Sequence, residues 1–320
     1  MLTQVLILIL GLALIVFGAD YLVDGASSIA RKAGISEFVI GLTIVGMGTS
    51  APEMVVSFMG ALQGNADIAV GNIVGSNIFN VLMILGITAV MMPIGITPGN
   101  KKKDIPVNIF VTLLLITLGL NATIFGLGTN VLSRFDGAVL LTCFVAYLAY
   151  AFHEGKKEGD TAPAENEKSL KLWVSIIFVI GGLAALVAGG KMFVNSATAI
   201  AKMLRVSDKF IAITILAGGT SLPELATCVA AAMKKKGQLA LGNILGSNVF
   251  NILLILGGSA LITPLSFEDI GVVDLCALLL SGLLIWTSAY TGERDKIDRA
   301  DGVIMLFCEA AYFVWLLIQL

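Results

Sequence analysis

The fold is decided by a stretch that occurs twice, as GNIVGSNIFNVLMILG at residues 71–86 and as GNILGSNVFNILLILG at residues 242–257. Twelve of the sixteen aligned positions are identical, which is too many for composition bias alone. The same shift of 242 − 71 = 171 residues aligns GTSAPE at 48–53 with GTSLPE at 219–224 without a gap. The chain therefore carries an internal duplication.

The composition indicates a protein whose outer surface is apolar as well as its core. Of the 320 residues, 57% are hydrophobic and 13% are charged, whereas a soluble domain has about 25% charged residues. Polar or basic residues divide the chain into about ten apolar segments, each close to the ~20 residues that a membrane-spanning helix needs. These segments are 3–30, 36–61, 67–93, 105–125, 132–152, 171–201, 208–233, 238–263, 270–290 and 300–319.

A polar linker at 154–171, with charges of both signs, separates a first repeat at 1–153 from a second repeat at 172–320. Each repeat holds five segments. Because five is odd, the second copy enters the membrane from the opposite side, and the repeats are inverted. We therefore predict an all-α integral membrane protein of ten transmembrane helices in two inverted five-helix repeats.

Basic residues predict the orientation. With the N-terminus outside, fifteen Lys and Arg residues fall in cytoplasmic loops and four in outer loops, while Lys191 lies within a span. The positive-inside rule then gives a multi-pass plasma-membrane protein with both termini extracellular and a cytoplasmic linker. Asp20 and Lys191 are equivalent in the two repeats, but inversion places them near opposite faces, so we expect no salt bridge between them.

Several classes of chemistry find no support in the sequence. The only histidine is His153, which argues against HExxH metalloenzymes and Ser/His/Asp triads. The four cysteines lie far apart in apolar stretches and form neither a CxxC site nor a disulfide framework. We predict a membrane transporter rather than an enzyme, without a cofactor and without a nucleic-acid partner, that functions as a monomer in the lipid bilayer.

Two glutamates lie about midway along predicted spans, Glu53 in the second and Glu224 in the seventh. A carboxylate at that depth costs ~2.5–3.5 kcal/mol on insertion scales, so it persists where it faces protein, water or a cation. Helical spacing gives each glutamate small or hydroxyl-bearing neighbours on its own face, with Cys228 as a small packing residue in place of serine. Those neighbours are Gly46, Thr49, Ser50 and Ser57 in the first copy, and Ala217, Thr220, Ser221 and Cys228 in the second.

The prolines beside these glutamates add further oxygen. Pro52 and Pro223 have no N–H and clash with the carbonyls of Gly48 and Gly219, which are thereby freed. A bound cation is one partner for a carbonyl freed in hydrocarbon. The alternative is a proline kink satisfied by Ser and Thr hydroxyls with no ion, which the recurrence of the motif in two inverted copies disfavours.

The duplicated GNxxGSNxFN motif supplies a second wall. Asn72, Ser76 and Asn80 repeat at i, i+4 and i+8 on one helical face, and Asn243, Ser247 and Asn251 are their counterparts. Their oxygens are neutral, hard ligands; the alternative is small-residue packing with interhelical hydrogen bonds. Asn77 and Asn248 point elsewhere, and we expect them to serve as hydrogen-bonded structure.

The predicted ligands are oxygens, which favours hard cations over zinc or copper. A flexible cage of six to eight oxygens suits Ca²⁺, whereas Mg²⁺ requires a tight octahedron. Two carboxylates neutralise one Ca²⁺, and the same oxygens could hold several Na⁺ ions instead. Competition between the two ions for shared carboxylates is a physical route to exchange.

GTSAPE, GTSLPE and the paired GNxxGSN motifs resemble the two alpha-repeats of the Ca²⁺/cation antiporter superfamily, in its Na⁺/Ca²⁺ exchanger branch of the prokaryotic ten-helix type. The resemblance covers essentially the whole chain and centres on 46–80 and 217–251. It implies a central site of four cation positions in a diamond, and a first and sixth helix that slide across the core to alternate access.

Carried over by position, the resemblance implies that Glu53 and Glu224 are the principal Ca²⁺ ligands. The amides of Asn80 and Asn251 belong to the same expected cation site. The other oxygen ligands, chiefly for Na⁺, would be Thr49, Ser50, Thr220, Ser221, Ser76 and Ser247, with the backbone carbonyls of Gly46 and Ala217.

One departure from the family concerns the driving ion. Some relatives carry Asp at the position of Asn251, whereas here Asn80 and Asn251 are both amides. The site has one negative charge fewer, which weakens a case for K⁺ co-transport. The prediction is a secondary antiporter that extrudes Ca²⁺ against inward Na⁺ by alternating access. The alternatives are antiport driven by H⁺ or another cation, a passive cation channel and, least supported, an intramembrane enzyme.

Overall fold

A computed structural model of the chain describes residues 1–126, 129–158, 170–204, 217–267, 270–291 and 295–318. Most of the predicted linker at 154–171 and the first part of the predicted span at 208–233 lie outside these residues.

The regular secondary structure of the described residues is helical apart from four two-residue strands. The first half contains α1 (Leu2–Ala33), α2 (Glu37–Ile40, Gly41–Val45 and Gly46–Thr49), α3 (Ala51–Leu62), α4 (Ala66–Phe79, Asn80–Leu85 and Gly86–Met91), α5 (Asn100–Asp104 and Ile105–Gly119), α6 (Asn121–Phe125) and α7 (Arg134–Glu158). The second half contains α8 (Leu172–Met203), α9 (Ala217–Gly219), α10 (Leu222–Met233), α11 (Gly237–Phe250, Asn251–Leu256 and Gly257–Ile262), α12 (Val272–Ser288) and α13 (Arg299–Ile318). The strands are β1 (Ile94–Gly95), β2 (Val131–Leu132), β3 (Leu265–Ser266) and β4 (Lys296–Ile297).

Each predicted apolar segment corresponds to a described helix. Six helices, namely α1, α4, α7, α8, α11 and α13, are long and apolar enough to cross a membrane singly, and α2 with α3 forms one broken span bent by 48°. The remaining three segments correspond to α5, α10 and α12. Helices α10 and α12 are shorter, and α5 reaches 20 residues only with its first turn, Asn100–Asp104. The all-helical membrane fold predicted from the sequence is confirmed at this level.

The fourth segment differs from its predicted bounds of 105–125. Thr97 and Asn100 cap each other, each backbone N–H donating to the other's side-chain oxygen at 2.9 and 3.1 Å, so α5 begins before the lysines that follow Asn100. At the far end, Leu120 leaves helical geometry, with φ −105° and ψ 33°, and α5 stops at Gly119. The start of α5 is therefore set by these paired capping bonds and not by the point at which the sequence becomes apolar.

The two halves run in opposite directions, as inverted repeats require. Equivalent helices α1 and α8 pack side by side and antiparallel, with Gly11 against Gly189, Gly18 against Gly182 and Gly25 against Ser175. A Cβ at Gly18 would lie 2.9 Å from the carbonyl oxygen of Gly182, so these small residues allow the two backbones to touch.

Internal features also recur at the 171-residue shift. Helix α4 contains a π-helical turn at Asn80–Leu85, and α11 contains one at Asn251–Leu256. Strand β1 pairs antiparallel with β4, and β2 pairs antiparallel with β3, so each short sheet joins a loop of one half to a loop of the other. The duplicated sequence therefore folds into duplicated structure.

The centre of the bundle is formed by α4 and α11, whose side chains are mostly buried, whereas α1, α8 and α13 expose large hydrophobic side chains. Helix α2 packs directly on α11. Added Cβ atoms at Gly242 and Gly246 would overlap the carbonyl oxygens of Phe38 and Leu42. Glycines in the GNxxGSN motif thus bring the backbone of α2 against the second copy of that motif.

Candidate cation-binding site

The GTSAPE and GTSLPE motifs interrupt their helices at equivalent serines. Ser50 lies between α2 and α3 with φ −77° and ψ 9°, and Ser221 lies between α9 and α10 with φ −87° and ψ 9°. Pro52 and Pro223 then occupy the first turn of the new helix, where a missing N–H removes no hydrogen bond. Each glutamate therefore stands in the first turn of a helix that begins inside the bundle.

The carboxylates are held across the two repeats. Ser50 donates its hydroxyl to Oε1 of Glu224 at 3.0 Å, and Ser221 donates its hydroxyl to Oε1 of Glu53 at 3.1 Å. Both glutamates and both serines are at most 1% exposed. The serine of each motif is therefore hydrogen-bonded to the glutamate of the other motif, so the residues predicted from the sequence come together across the two repeats.

Each carboxylate keeps one oxygen without a hydrogen-bond partner. Oε2 of Glu53 and Oε2 of Glu224 are buried and unpaired. A buried carboxylate oxygen without a donor carries a large desolvation penalty, which a bound cation offsets. The serine hydroxyls have donated their hydrogens, so their lone pairs also remain available as ligands.

The residues around Gly46 are bonded to one another. Thr49 lies 3.1 Å from both the Val45 carbonyl oxygen and Oδ1 of Asn243, and Ser247 donates to the Gly46 carbonyl at 3.2 Å. The carbonyl of Gly46 thus already accepts a hydrogen bond from the opposite repeat. Thr49 and Ser247, both predicted ligands, are brought beside it.

The equivalent residues on the other side are not paired in this way. Thr220 and Ser76 each have a buried hydroxyl oxygen without a hydrogen-bond partner. Ala217, whose carbonyl is the counterpart of that of Gly46, begins α9 at the edge of the described residues. The two halves of the site are alike in composition but differ in their bonding.

The amide nitrogens of Asn80 and Asn251 each donate a hydrogen bond to an asparagine of the opposite repeat. Asn80 donates Nδ2 to Oδ1 of Asn248 at 3.0 Å, and Asn251 donates Nδ2 to Oδ1 of Asn77 at 2.9 Å. The remaining oxygens, Oδ1 of Asn80 and Oδ1 of Asn251, are buried and unpaired. The expectation that Asn77 and Asn248 serve as hydrogen-bonded structure agrees with these contacts.

Asn72 and Asn243 lie behind the carboxylates. Asn72 donates to the Glu53 carbonyl at 3.2 Å and to the Ser57 hydroxyl at 3.1 Å, while Asn243 lies 3.3 Å from the sulfur of Cys228. Their amide hydrogens are used to brace α3 and α10. The i, i+4 and i+8 spacing placed Asn72 on one helical face with Ser76 and Asn80. That spacing could not show that Asn72 braces a neighbouring helix instead of facing the cation.

The set of buried, unpaired oxygens matches the chemistry of a hard-cation site. Six of these oxygens belong to residues predicted for the site, namely Oε2 of Glu53 and Glu224, Oγ of Ser76, Oγ1 of Thr220, and Oδ1 of Asn80 and Asn251. Carboxylate, hydroxyl and amide oxygens are the ligands that Ca²⁺ takes in a flexible cage. These residues fit a cation carried as substrate.

A multi-pass helical bundle with a central oxygen cage built from two inverted repeats defines a membrane transporter of the cation/Ca²⁺ antiporter class. The sequence pattern of the sodium/calcium exchanger protein family matches residues 3–153 and 174–320. The chain belongs to this family and is a transporter rather than an enzyme, because its relatives are exchangers.

Individual relatives align over nearly their whole length. The sodium/calcium exchanger MaX1 of Methanosarcina acetivorans is 34% identical, covering 97% of each chain. The inner membrane protein YrbG of Escherichia coli is 33% identical, covering 99% of this chain and 96% of its own. A solved structure of the sodium-calcium exchanger NCX_Mj is similar with a TM-score of 0.83 and 33% identity, covering 99% and 98% of the two chains. This likeness confirms the ten-helix inverted-repeat fold.

The crossed serine–glutamate bonds generate a test of the site. Replacing Ser221 by Ala removes both the donor to Glu53 and a predicted ligand oxygen. Ca²⁺ binding should therefore weaken about tenfold or more, since a hydrogen bond to a charged group contributes about 1.5–3 kcal/mol. Calorimetric titration of the purified protein with Ca²⁺ measures this change.

The control is Ser281→Ala, because Ser281 is equally buried but bonds only to Leu278 within its own helix. It should leave the dissociation constant for Ca²⁺ within about twofold of the parent value. Equal losses in Ser221→Ala and Ser281→Ala would contradict a specific role for the crossed bond.

Proposed function

We propose that this protein is a Na⁺/Ca²⁺ exchanger that extrudes Ca²⁺ by alternating access, driven by inward Na⁺. The observation that carries the proposal is the pair of buried glutamates, each bonded to a serine of the opposite repeat and each left with one unpaired oxygen. Two carboxylates neutralise one Ca²⁺. The surrounding neutral oxygens complete a cage in which Na⁺ ions compete for the same ligands.

The proposed ligands are the oxygens of the two duplicated motifs. Glu53 and Glu224 are the principal Ca²⁺ ligands, with Asn80 and Asn251 contributing amide oxygens. Thr49, Ser50, Ser76 and their counterparts Thr220, Ser221 and Ser247 contribute hydroxyl oxygens, and the backbone carbonyls of Gly46 and Ala217 belong to the same cage. Three Na⁺ exchanged for one Ca²⁺ would move a net charge of 3 − 2 = 1 in each cycle.

Na⁺ rather than H⁺ is the proposed driving ion. The neutral ligands around the glutamates are hydroxyl and amide oxygens, which suit Na⁺, whereas a proton needs only the carboxylates themselves. The relative MaX1 is named a sodium/calcium exchanger, which supports the same choice. Antiport of Ca²⁺ against H⁺ or another cation is the alternative.

The proposal includes the placement of the chain. It is a plasma-membrane protein with both termini extracellular, a cytoplasmic linker at 154–171, and repeats at 1–153 and 172–320 that each carry one half of the site, at 46–80 and 217–251. It functions as a monomer, since both halves of the proposed site come from one chain.

Proteoliposomes distinguish the driving ions. Vesicles loaded with Na⁺ and diluted into Na⁺-free buffer with ⁴⁵Ca²⁺ should take up Ca²⁺. Because one net positive charge leaves the vesicle in each cycle, this uptake should rise when a permeant ion is used to make the vesicle interior positive. Vesicles loaded with K⁺ at the same osmolarity are the control and should show little uptake. Uptake that follows an imposed pH gradient and ignores Na⁺ would replace Na⁺ by H⁺, and uptake without any counter-ion would indicate a channel.

A further inference from the structure

Two hydrogen bonds join Asn77 and Asn248, two asparagines that are equivalent in the two repeats. Asn77 donates Nδ2 to the backbone carbonyl of Asn248 at 3.1 Å, and Asn248 donates Nδ2 to the backbone carbonyl of Asn77 at 3.3 Å. Each residue therefore contacts its own counterpart, as happens only next to a two-fold axis. The pair marks the pseudo-two-fold axis of the bundle.

These backbone bonds fix which way each amide faces. A carbonyl oxygen accepts and cannot donate, so the atom facing it must be the NH₂ group, and Oδ1 of Asn77 and Oδ1 of Asn248 must point away from the pair. Those two oxygens accept the amides of Asn251 and Asn80, respectively. The orientation of one pair of asparagines thus determines the orientation of the next.

The consequence reaches the cation site. With Nδ2 of Asn80 and Nδ2 of Asn251 engaged, their oxygens Oδ1 are the atoms left unpaired and buried. Without this constraint an amide could rotate by half a turn and present its NH₂ group, which repels a cation. On each side of the axis, a backbone carbonyl orients the amide of Asn77 or Asn248, and that amide in turn orients the amide of Asn251 or Asn80.

We propose that Asn77 and Asn248 are positioning residues that keep the amide oxygens of Asn251 and Asn80 directed at the transported cation. The inference rests on the proposed function and adds a role for two residues that are not themselves cation ligands. It predicts a crossed pattern, since Asn77 acts through Asn251 and Asn248 acts through Asn80.

A double-mutant cycle on Ca²⁺ binding tests this pattern. The full-length protein in detergent is titrated with Ca²⁺ without Na⁺, so that the readout does not depend on the driving ion. Asn77→Leu and Asn251→Leu should each weaken binding about tenfold, and the double variant should lie within about threefold of Asn251→Leu alone. The matched control pairs Asn77→Leu with Asn80→Leu, for which the two losses should multiply.

The mirror cycle with Asn248→Leu and Asn80→Leu gives the same test if one variant folds poorly. Losses that multiply in both pairings, or that are absent in Asn77→Leu and Asn248→Leu, would overturn the positioning role while leaving the proposed function intact. A parent protein that binds no Ca²⁺ would overturn the proposed function and this inference together.

A second inference comes from an ion-pair cluster at one end of the bundle. Lys234, just after α10, lies 2.6 Å from Oδ1 of Asp20 and 2.7 Å from Oδ1 of Asp24, and it donates to the Asp20 carbonyl at 3.0 Å. Helix α1 packs against α10 along the same end. Asp20 therefore pairs with Lys234, and the cluster ties α1 to the helix that carries Glu224.

The equivalent residues on the opposite face are apart. The counterpart of Lys234 is Gln63, and the counterparts of Asp20 and Asp24 are Lys191 and Asn195; all three are exposed. Helix α8 has little contact with α3, although α1 and α10 are packed together. Inverted repeats that differ in this way are in one of two access states.

Burial near the site shows the same asymmetry. Asn72 is partly exposed whereas its counterpart Asn243 is completely buried. Thr220 and Ser76, which lie on the side of Asn72, have unpaired hydroxyls, whereas Thr49 and Ser247 are bonded. Among the described residues, the polar groups on the side of Asn72 are thus less buried and less paired than those on the side of Lys234.

We propose that the cluster of Lys234, Asp20 and Asp24 is a latch that keeps one access path closed, and that the opposite state brings Gln63 to Lys191 and Asn195. Partly exposed ion pairs are individually weak, so the latch biases an equilibrium between two states that the pseudo-symmetry relates. This inference requires alternating access, which belongs to the proposed function.

Disulfide trapping tests the latch. Gln63→Cys and Asn195→Cys are introduced together in a background with Cys143→Ser, Cys276→Ser and Cys308→Ser. The cross-link reports the approach of the two residues, because a disulfide requires Cα atoms within about 7 Å. The cross-link should form slowly under mild oxidation and should form at least twice as fast when Lys234→Gln is added. Lys235→Gln, which removes the neighbouring exposed charge, is the control and should leave the rate unchanged.

A cross-linking rate that is insensitive to Lys234→Gln, or no cross-link in any of these backgrounds, would overturn the latch. Cross-linking as predicted in a protein whose vesicles show no Ca²⁺ antiport would leave the two-state latch in place and reject the proposed function. The two failures are therefore distinguishable.

Discussion

The burial of two carboxylates in a bundle of apolar helices is the constraint on which the rest of the structure depends. Neither Glu53 nor Glu224 has a cationic side chain among its described hydrogen-bond partners; each receives a hydroxyl from the other repeat. An isolated charge in that environment costs several kcal/mol. Each half of the protein therefore leaves a carboxyl oxygen without a partner, and in the proposed function a cation completes the site that the two halves form together.

Other features follow from the need to bring the halves together. Glycines in the duplicated motif allow α2 to contact α11 through the backbone, which places Thr49 beside Asn243. The helix breaks at Ser50 and Ser221 start new helices inside the bundle, so the glutamates stand in first turns. A helix N-terminus carries a partial positive charge, which favours the carboxylates there by roughly 0.3–1 kcal/mol each.

Much of this arrangement could be predicted from the sequence, and the limits have physical causes. The duplication indicated the inverted fold, and helical spacing grouped Thr49, Ser50 and Glu53, although the helix that was assumed to be continuous breaks at Ser50. Spacing within one helix carries no information about contacts between helices, so it could not show that Ser221 serves Glu53 or that Asn77 serves Asn251. The asymmetry between the two sides was also hidden, because the sequence differences between the copies, such as Lys234 against Gln63, do not show that α1 packs on α10 while α8 has little contact with α3.

The central claim is that one Ca²⁺ site is shared by both repeats, and equilibrium Ca²⁺ binding to three purified proteins tests it most directly. The parent chain should bind one Ca²⁺ with high affinity, and Glu53→Gln and Glu224→Gln should each weaken that binding by about a hundredfold or more, since loss of one carboxylate halves the neutralising charge and about 1.4 kcal/mol corresponds to a factor of ten. Two independent sites in the parent chain, or one glutamine variant that binds Ca²⁺ as tightly as the parent, would contradict the account.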